Sequence, residues 1–391
     1  MKKEVELFDF LGRSKWMILG GFLFGALGAL AVNWGNPNNM GICTACFLRD
    51  IAGALKLQAY AAVQYLRPEI FGFALGAFGS SMIFHEFRPR GGSSPIIRFI
   101  LAMCVMIGAL VFLGCPIRML LRLGGGDLSA LVALAGLVVG ILVGVFFLKR
   151  GFTLGRATKM PVVAGYIIPV FALLLFILLA IKSGVLAFTT TATAPGAQHV
   201  NIWLGLGIGL FVGVVVQRTR FCSIGGWRDI FLAKDFYLFS GLAAFLVGVL
   251  ATNYIVGNFA AGGLLGSPHG DILYHWGFTK QFIALPYVNA AGDIAWSQYI
   301  WTFLGFVLVG LAATQMGGCP LRNTALAGEG DTDAGVSILG YIAGGAIAVN
   351  FLFASSAGAT GALGKYATWA VAGGLLFCVS IGFLMREKEA A

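Results

Sequence analysis

The sequence predicts an all-α polytopic membrane protein with about ten hydrophobic spans, re-entrant half-helices and an inverted-topology internal repeat. Hydrophobic residues make up 59% of its 391 residues and charged residues only 11%, whereas a soluble domain carries about 25% charged residues. Apolar stretches of bilayer-spanning length recur along the chain, and two pairs of short cysteine motifs repeat in the same order. Together these observations predict an integral membrane protein.

Ten apolar segments have the length and composition of spans, since a helix needs about 20 mostly apolar residues to cross a bilayer and fewer where it is broken. They are 16–33, 70–84, 96–113, 129–148, 161–181, 202–216, 237–256, 298–314, 334–354 and 366–385. Glycine is abundant, at 57 residues, as expected for helices that pack closely through small residues.

Basic residues indicate which ends of the spans lie in the cytoplasm. They cluster before the first span, between the second and third, between the fourth and fifth, and after the last. The positive-inside rule therefore places both termini in the cytoplasm and accounts for the net charge of +10 without a nucleic-acid surface. The loops 183–201 and 257–297 then face outward and hold one basic residue, Lys280. The segments 39–69 and 115–127 are basic but lie on that same side, so we expect them to fold back into the protein.

Two pairs of motifs indicate an internal duplication. CTACFLRDI (43–51) matches CSIGGWRDI (222–230), and GCPIRMLLRLGGGD (114–127) matches GCPLRNTALAGEGD (318–331). The second copy begins five spans after the first, and an odd shift inverts the topology. Two motifs are therefore expected to enter from each side of the membrane and to meet near its midplane. The predicted repeats are 1–160, with the Cys43 and Cys115 motifs, and 161–391, with the Cys222 and Cys319 motifs.

Each motif is too short to span and is expected to form a re-entrant half-helix, buried in the protein or lining a cavity. A proline at the first helical turn places the preceding cysteine at the helix N-terminus, where free N–H groups favour an anion. An arginine three residues after that cysteine lies on the same helix face. The residues in these positions are Cys115, Pro116 and Arg118 in the first repeat and Cys319, Pro320 and Arg322 in the second.

The other motif pair supplies Cys43 with Arg49 and Asp50, and Cys222 with Arg228 and Asp229. Buried arginines in a membrane mark either an ion path or a structural ion pair, and both roles remain open for Arg49 and Arg228. Because adjacent residues on a helix do not face each other, each Arg and Asp is expected to find its partner elsewhere.

Several residues stand outside the repeated pattern. Cys46 aligns with Gly225, so a symmetric site does not require it, and Cys104 and Cys378 are expected to be small buried hydrophobes. Arg122 has no basic counterpart in the second repeat, and this asymmetry suggests an anion-collecting role on the outer side.

Metal and phosphate sites are not predicted. The histidines, at positions 85, 199, 269 and 275, all lie outside the cysteine motifs, so a four-ligand Cys/His set is lacking. GGGD and GEGD are not followed by Lys-Ser/Thr and are better explained as turns that end the half-helices. The stretch HGDILYHW (269–276) is expected to anchor at the membrane interface.

On the basis of Cys43 and the motifs GCPIR, RFCSIGGWRD and GGCPLRNTALAGEGD, the chain resembles the YeeE/YedE family of bacterial inner-membrane sulfur-compound transporters. Within that family it is most similar to the YedE branch, which is described as a selenium-metabolism membrane protein and selenium transporter. The resemblance implies a narrow path lined by Cys43, Cys115 and Cys319, with Cys222 a weaker match, through which a small sulfur oxyanion passes by contacts with thiols. It also implies a small cytosolic sulfur-transfer protein of the SirA/TusA kind as a partner.

The sequence thus predicts a transporter, not an enzyme, that imports a small sulfur- or selenium-containing anion across the bacterial inner membrane without a cofactor. Two alternatives remain open: a thiosulfate-specific transporter, and a membrane thiol oxidoreductase that uses Cys43 and Cys46 as a CxxC pair. The predicted pathway residues are Cys43, Cys115, Cys222, Cys319, Arg49, Arg118, Arg228 and Arg322.

Overall fold

The computed structural model describes residues 2–37, 40–127, 129–256, 296–355 and 363–386. The predicted outward loop 257–297 and the interfacial stretch 269–276 therefore lie almost entirely outside the described residues. The long helices of the protein are α1 Lys2–Asn33, α3 Pro68–Ile83, α4 Pro95–Val111, α6 Ser129–Lys149, α7 Val162–Ala180, α8 Ile202–Thr219, α10 Tyr237–Ile255, α11 Trp296–Met316, α13 Thr332–Asn350 and α14 Ala367–Leu384. Its short helices are α2 Thr44–Ala54, α5 Pro116–Gly124, α9 Ser223–Ala233 and α12 Pro320–Gly328.

Other regular structure in the described chain is minor. A 3₁₀ turn spans Ala61–Val63, and two strands, β1 Arg90–Gly91 and β2 Thr158–Lys159, form a short antiparallel pair at one end of the helical bundle.

Each of the ten predicted spans corresponds to one long helix. In the described residues, nine helical stretches are long and apolar enough to cross a membrane. Helix α3 is not among them because it has 16 residues, about 24 Å of rise, against a hydrocarbon core of about 30 Å. Since most of its side chains are buried, neighbouring protein surrounds it instead of lipid. These helices confirm the prediction of an all-α polytopic membrane protein.

The loops between the helices separate onto two ends of the bundle. At one end, which we call the basic face, Arg13 pairs with Asp235, the Lys149 Nζ donates to the Phe231 carbonyl, and the Thr153 N–H donates to the Met385 carbonyl. The start of the first long helix and the end of the last therefore lie at the same end of the bundle. This agrees with an even number of crossings.

The other end of the bundle, which we call the opposite face, carries the loops that alternate along the chain with those of the basic face. Three contacts join these loops. The Ala187 N–H donates to the Ala54 carbonyl at 2.8 Å, and the Ser355 N–H donates to the Leu110 carbonyl at 3.0 Å. The Asn350 Nδ2 donates to the Leu57 carbonyl at 2.9 Å. Successive connections therefore occupy opposite ends, as they must in a multi-pass membrane protein.

Close glycine contacts hold the central helices together. Helices α1 and α10, α3 and α8, α4 and α13, and α6 and α11 pack along their lengths. A Cβ on Gly72 of α3 would lie 2.6 Å from the Cα of Gly209 in α8, and one on Gly310 of α11 would meet the Leu137 carbonyl of α6. Small residues allow such approaches, and in lipid the resulting van der Waals contact drives helix association.

The pairing of these helices follows the order of the two halves of the chain. Helices α1–α7 correspond in order to helices α8–α14. Under this correspondence the α1–α10 pair becomes α8–α3, and the α4–α13 pair becomes α11–α6. A two-fold relation between repeats would produce this pattern. The outermost helices depart from it, since α7 packs on α3 and α12 whereas α14 packs on α11 and α4.

Candidate functional site

A cysteine stands at the N-cap of each short helix. Cys43 and Cys222 accept hydrogen bonds at Sγ from the backbone N–H of Cys46, at 3.4 Å, and of Gly225, at 3.3 Å. Cys319 accepts in the same way from the N–H of Arg322 at 3.5 Å. A thiol thus takes the position that Ser, Thr or Asp usually holds at a helix start.

Proline and glycine set the limits of α5 and α12. Pro116 and Pro320 occupy the first turn of these helices, as predicted. Gly126 and Gly330 follow the last turn with φ of +87° and +95°, a conformation that glycine adopts without steric cost. The GGGD and GEGD sequences are therefore turns, as predicted. At nine residues each, these helices rise about 14 Å and cannot cross the membrane.

The first cysteine cluster consists of Cys43, Cys46, Cys115 and Arg118. Its thiols form a chain in which Cys43 Sγ lies 3.0 Å from Cys46 Sγ and 3.8 Å from Cys115 Sγ. The Arg118 Nη1 donates to Cys46 Sγ at 3.0 Å. All four side chains are buried in the interior of the bundle. The cluster therefore presents three soft sulfur atoms beside one guanidinium.

Cys46 is the member of this cluster that sequence symmetry did not single out. Its thiol contacts Cys43 and Arg118, and it lies 3.7 Å from the Leu113 carbonyl. Leu113 itself adopts φ +61°, matching Gly317, which has φ +99° before the second GCP motif. A left-handed leucine costs about 1–2 kcal/mol relative to the right-handed region, and Leu113 lies two residues before Cys115 of the cluster.

The second cysteine cluster consists of Cys222, Cys319 and Arg322. Each of the two buried thiols lies within interaction range of the other. The Arg322 Nη1 donates to Glu329 Oε1 at 2.9 Å and to the Val216 carbonyl at 3.3 Å. In this cluster, the guanidinium is bound to a carboxylate of its own half-helix.

The two clusters are neighbours in the protein interior. Helix α2 contacts α12, and α5 contacts α9, so the half-helices of the two repeats meet. The buried Tyr341 hydroxyl, which accepts a hydrogen bond from Asn323 Nδ2 at 2.9 Å, lies within electrostatic range of Cys319, Cys222 and Cys115.

The half-helices lead from these clusters to different ends of the bundle. The last carbonyls of α2 and α5 bond to the Ala187 N–H and the Asn253 Nδ2, both on the opposite face. By contrast, the Glu329 carbonyl after α12 accepts from the Arg88 N–H, and α9 ends near Lys149, both on the basic face. The motif cysteines therefore lie at the inner ends of half-helices that start from opposite faces of the protein.

The arginines of the Arg-Asp pairs contact their own neighbours. Arg49 Nε and Nη2 donate to Asp50 Oδ1 at 2.9 and 2.7 Å, and Arg228 Nε donates to Asp229 Oδ1 at 2.8 Å. The expectation that these residues would pair elsewhere was wrong for Arg49, Arg228 and Asp229, because a long guanidinium side chain can fold back along the helix to the next residue's short carboxylate; it holds for Asp50, which also pairs with Arg67.

Sequence patterns also missed Arg67, which completes the buried ion pair. Its Nε lies 3.2 Å from Asp50 Oδ2, and its Nη atoms donate to the carbonyls of Gln198 at 2.7 Å and Pro195 at 2.6 Å. Arg67 thereby ties α2 to the loop before α8. In the sequence, Arg67 is marked only by its position directly before Pro68. That position predicts the start of a helix and does not predict an ion pair.

Arg122 does not collect anions at the outer surface, and that prediction was wrong. Its side chain is buried, with Nε 2.6 Å from Asp127 Oδ2, Nη1 bonded to the Phe112 carbonyl and Nη2 bonded to Ser129 Oγ. The guanidinium also stacks on the Phe112 ring at 3.8 Å. Arg122 therefore fastens the end of α5 to the start of α6.

A charged cleft opens from the second cluster to the basic face. It is lined by Glu86, Arg88, Arg90, Arg220, Glu329 and Asp331. Arg90 pairs with Asp331 at 2.7 Å, while Glu329 reaches inward to Arg322. Outside the spans, a hydrogen bond from Gln217, with support from Arg218, holds the pKa of the Glu86 carboxyl below its usual value. The cleft carries both signs of charge, and the Glu329–Arg322 ion pair connects its wall to the second cluster.

The described residues contain no group of three or more His, Cys, Asp or Glu side chains placed to hold a metal ion. All seven cysteines are free thiols. Cys104 and Cys378 are buried, as expected, and their thiols lie within interaction range of each other between α4 and α14.

No protein-family model matches the chain. The chain is similar to the thiosulfate transporter TsuA of Spirochaeta thermophila, with 31% identity over 140 residues, which are 36% of this chain and 34% of the relative. It therefore matches about a third of that relative's length. This similarity is to a transporter rather than an enzyme, and it supports the resemblance to sulfur-compound transporters at the level of the family, without distinguishing the YedE branch.

Proposed function

We propose that this protein imports a small sulfur- or selenium-containing anion along a path lined by Cys43, Cys115, Cys222 and Cys319. The observation that carries the proposal is the meeting of four thiols, each at the N-terminus of a half-helix, in two adjacent buried clusters that are reached from opposite faces. Arg118 and Arg322 are the proposed sources of positive potential along this path, and Arg49 and Arg228 contribute to it through α2 and α9.

The chemistry of these groups suits a soft anion. Thiols are weak hydrogen-bond donors with polarisable sulfur, and the inner ends of α2, α5, α9 and α12 present positive helix dipoles. Several weak sites in series allow conduction, because an anion must bind well enough to enter and weakly enough to leave. A single strong site would trap it.

Thiosulfate is the first substrate to test, since the named relative is a thiosulfate transporter. Selenium oxyanions share its negative charge and its soft, polarisable character. We therefore treat a selenium compound, the substrate that the YedE branch implies, as the competing cargo of the same path.

For the orientation, we propose that the basic face lies in the cytoplasm of a bacterial inner membrane, with both termini on that side. Exposed Lys and Arg side chains gather there, as the positive-inside rule requires. We further propose that 1–160 and 161–391 are inverted repeats. The exchange of helix partners between α1–α6 and α8–α13 supports this proposal.

A small cytosolic sulfur-transfer protein of the SirA/TusA kind is the proposed recipient of the anion. It would meet the anion at the basic face, at the cleft lined by Arg88, Arg90 and Arg220. Short loops leave a small docking surface, so we expect a transient complex.

Uptake of labelled thiosulfate into bacterial cells that lack other importers tests the proposed function. We expect uptake by the wild type and a strong loss in Cys43→Ala, Cys115→Ala and Cys319→Ala. Cys378→Ala is the matched control, because this thiol is equally buried but lies in α14 away from both clusters. Competition by unlabelled selenite, measured in the same cells, compares the two classes of cargo. Unchanged uptake in all three cluster variants would refute the cysteine path.

A second candidate function, a membrane thiol oxidoreductase, is favoured by the 3.0 Å contact between Cys43 Sγ and Cys46 Sγ. Cys46→Ala separates the two functions. An oxidoreductase loses all activity with either cysteine of the pair, whereas a transporter keeps measurable uptake when Cys43, Cys115 and Cys319 remain. Thiol–disulfide exchange by the purified wild type that is lost in Cys46→Ala, together with no anion uptake by the wild type, would favour the second candidate.

A further inference from the structure

A buried carboxylate, Glu69, lies next to the ion pair that supports α2. The Glu69 side chain is fully buried in the first turn of α3. Its Oε1 accepts a hydrogen bond from Asn36 Nδ2 at 2.7 Å, but its Oε2 has no hydrogen-bond partner among the residues that the structure describes. An ionised carboxylate with an unsatisfied oxygen is costly in a protein interior.

The groups around Glu69 do not satisfy that oxygen. Its charged and titratable neighbours are Arg67 and Tyr65 from the preceding loop and His199 from the loop before α8, while α8 faces it with Gly205. The guanidinium of Arg67 is already bonded to Asp50, Asn36, Gln198 and Pro195. The His199 ring stacks on Tyr65 with centroids 4.2 Å apart.

Glu69 determines the net charge of the group of four that it forms with Arg49, Asp50 and Arg67. Two guanidiniums and one carboxylate leave one positive charge, which an ionised Glu69 neutralises and a protonated Glu69 leaves in place. Arg49 belongs to the same short helix as Cys43 and Cys46 and lies within electrostatic range of both thiols. The protonation of Glu69 therefore changes the potential at the first cysteine cluster.

We propose that Glu69 is a proton-binding site that takes up a proton when an anion occupies the first cysteine cluster. With a proton on Glu69, the group of four is positive and stabilises the anion. Without one, the group is neutral and the anion binds more weakly. By linkage, anion binding and proton binding strengthen each other. The inference rests on the proposed function, because it concerns the binding of that anion.

The surroundings fit a proton better than a metal cation. A bound Na⁺ or Ca²⁺ needs several oxygen ligands, but Asn36 turns its NH₂ group toward Glu69. The Asn36 Oδ1 accepts from Arg67 Nη1 at 3.4 Å and from the Val200 N–H at 3.2 Å. The neighbouring guanidinium also disfavours a second cation. A proton needs only the free carboxylate oxygen.

Thiosulfate uptake into proteoliposomes, measured as a function of external pH, tests the inference. Thiosulfate keeps its charge across about pH 5–8, so a change in KM reports on the protein, and one linked proton raises KM up to about tenfold per pH unit. We expect this rise in the wild type and a nearly flat KM in Glu69→Gln, which mimics the protonated form and keeps the Asn36 contact. Asp235→Asn removes an exposed carboxylate that pairs with Arg13 on the basic face outside the charged cleft; it is the matched control and should retain the rise.

The outcomes distinguish the inference from the function on which it rests. No uptake of either thiosulfate or selenite by the wild type at any pH would overturn both. Uptake with a flat KM in the wild type, or an equal rise in Glu69→Gln, would overturn the inference alone, as would a dependence on Na⁺ in place of pH. If Glu69→Gln does not fold, proton uptake is measured in a weakly buffered solution of the purified wild type with a pH-sensitive dye. Thiosulfate should then make the solution more alkaline, and no change would overturn the inference.

Discussion

Removing the Asp50 charge should destabilise the protein far more than removing Asp229, although the two residues hold matching positions in the repeated motifs. Asp50 lies between Arg49 and Arg67, and all three side chains are at most 2% exposed. Asp50→Asn leaves two buried guanidiniums without their carboxylate. Breaking a buried ion pair on one side costs about 3–5 kcal/mol, because the remaining charge stays desolvated.

Asp229 provides the matched comparison. Its pair with Arg228 has side chains 25% and 26% exposed, so water solvates the guanidinium when the carboxylate is lost. Exposed pairs of this kind contribute about 0–1 kcal/mol. The two variants should therefore differ by at least about 2 kcal/mol in the free energy of unfolding, a factor of roughly 30 in the equilibrium constant.

Reversible unfolding in mixed detergent micelles, followed by tryptophan fluorescence, measures this difference. Both variants and the wild type are titrated with the denaturing detergent under the same conditions. Equal losses in the two variants, or a loss below about 1 kcal/mol for Asp50→Asn, would show that the buried ion pair does not hold α2 in place.

Two further predictions concern packing and topology. Gly209→Ala should cost about 1–3 kcal/mol in the same unfolding assay, because a Cβ there meets the Glu69 carbonyl of α3 and overpacking separates close helices. The control is Gly207→Ala on the same helix, whose Cβ projects into open space and should leave the free energy of unfolding unchanged. Lys182→Cys and Lys234→Cys, both exposed and on opposite faces, should react with a membrane-impermeant maleimide from outside and from inside respectively, with the wild type as background. Reaction from the same side would contradict the topology.

Local physical chemistry made much of the fold predictable. Apolar length identifies each long helix, and the Pro and Gly signals identify the limits of α5 and α12. The shortness of α3 and the separate packing of α7 and α14 could not be predicted, because they depend on which neighbours cover each helix. A hydropathy pattern contains no record of those neighbours.

The candidate site was predictable only where both repeats carry the same signal. Cys115 and Cys319 follow from the GCP motif, and Cys43 and Cys222 follow from the Arg-Asp motif. Cys46 was set aside because it aligns with Gly225, and Arg67 and Glu69 belong to no repeated motif. Their roles depend on contacts with α2 and α8 that arise only when the chain folds.

The residues that match between the repeats and those that differ have separate tasks. Matching positions relative to the GCP motifs form the fold: Pro116 and Pro320 start half-helices, Gly126 and Gly330 end them, and Gly140 and Gly344 bring long helices together. Positions that differ line the clusters, since Cys46 replaces Gly225 and Tyr341 replaces Leu137. One cluster therefore has an additional thiol beside a guanidinium, and the other has a phenol near its thiols. The two clusters are built on one scaffold but present different chemistry, so under the proposed function an anion that moves between them would exchange one set of partners for another.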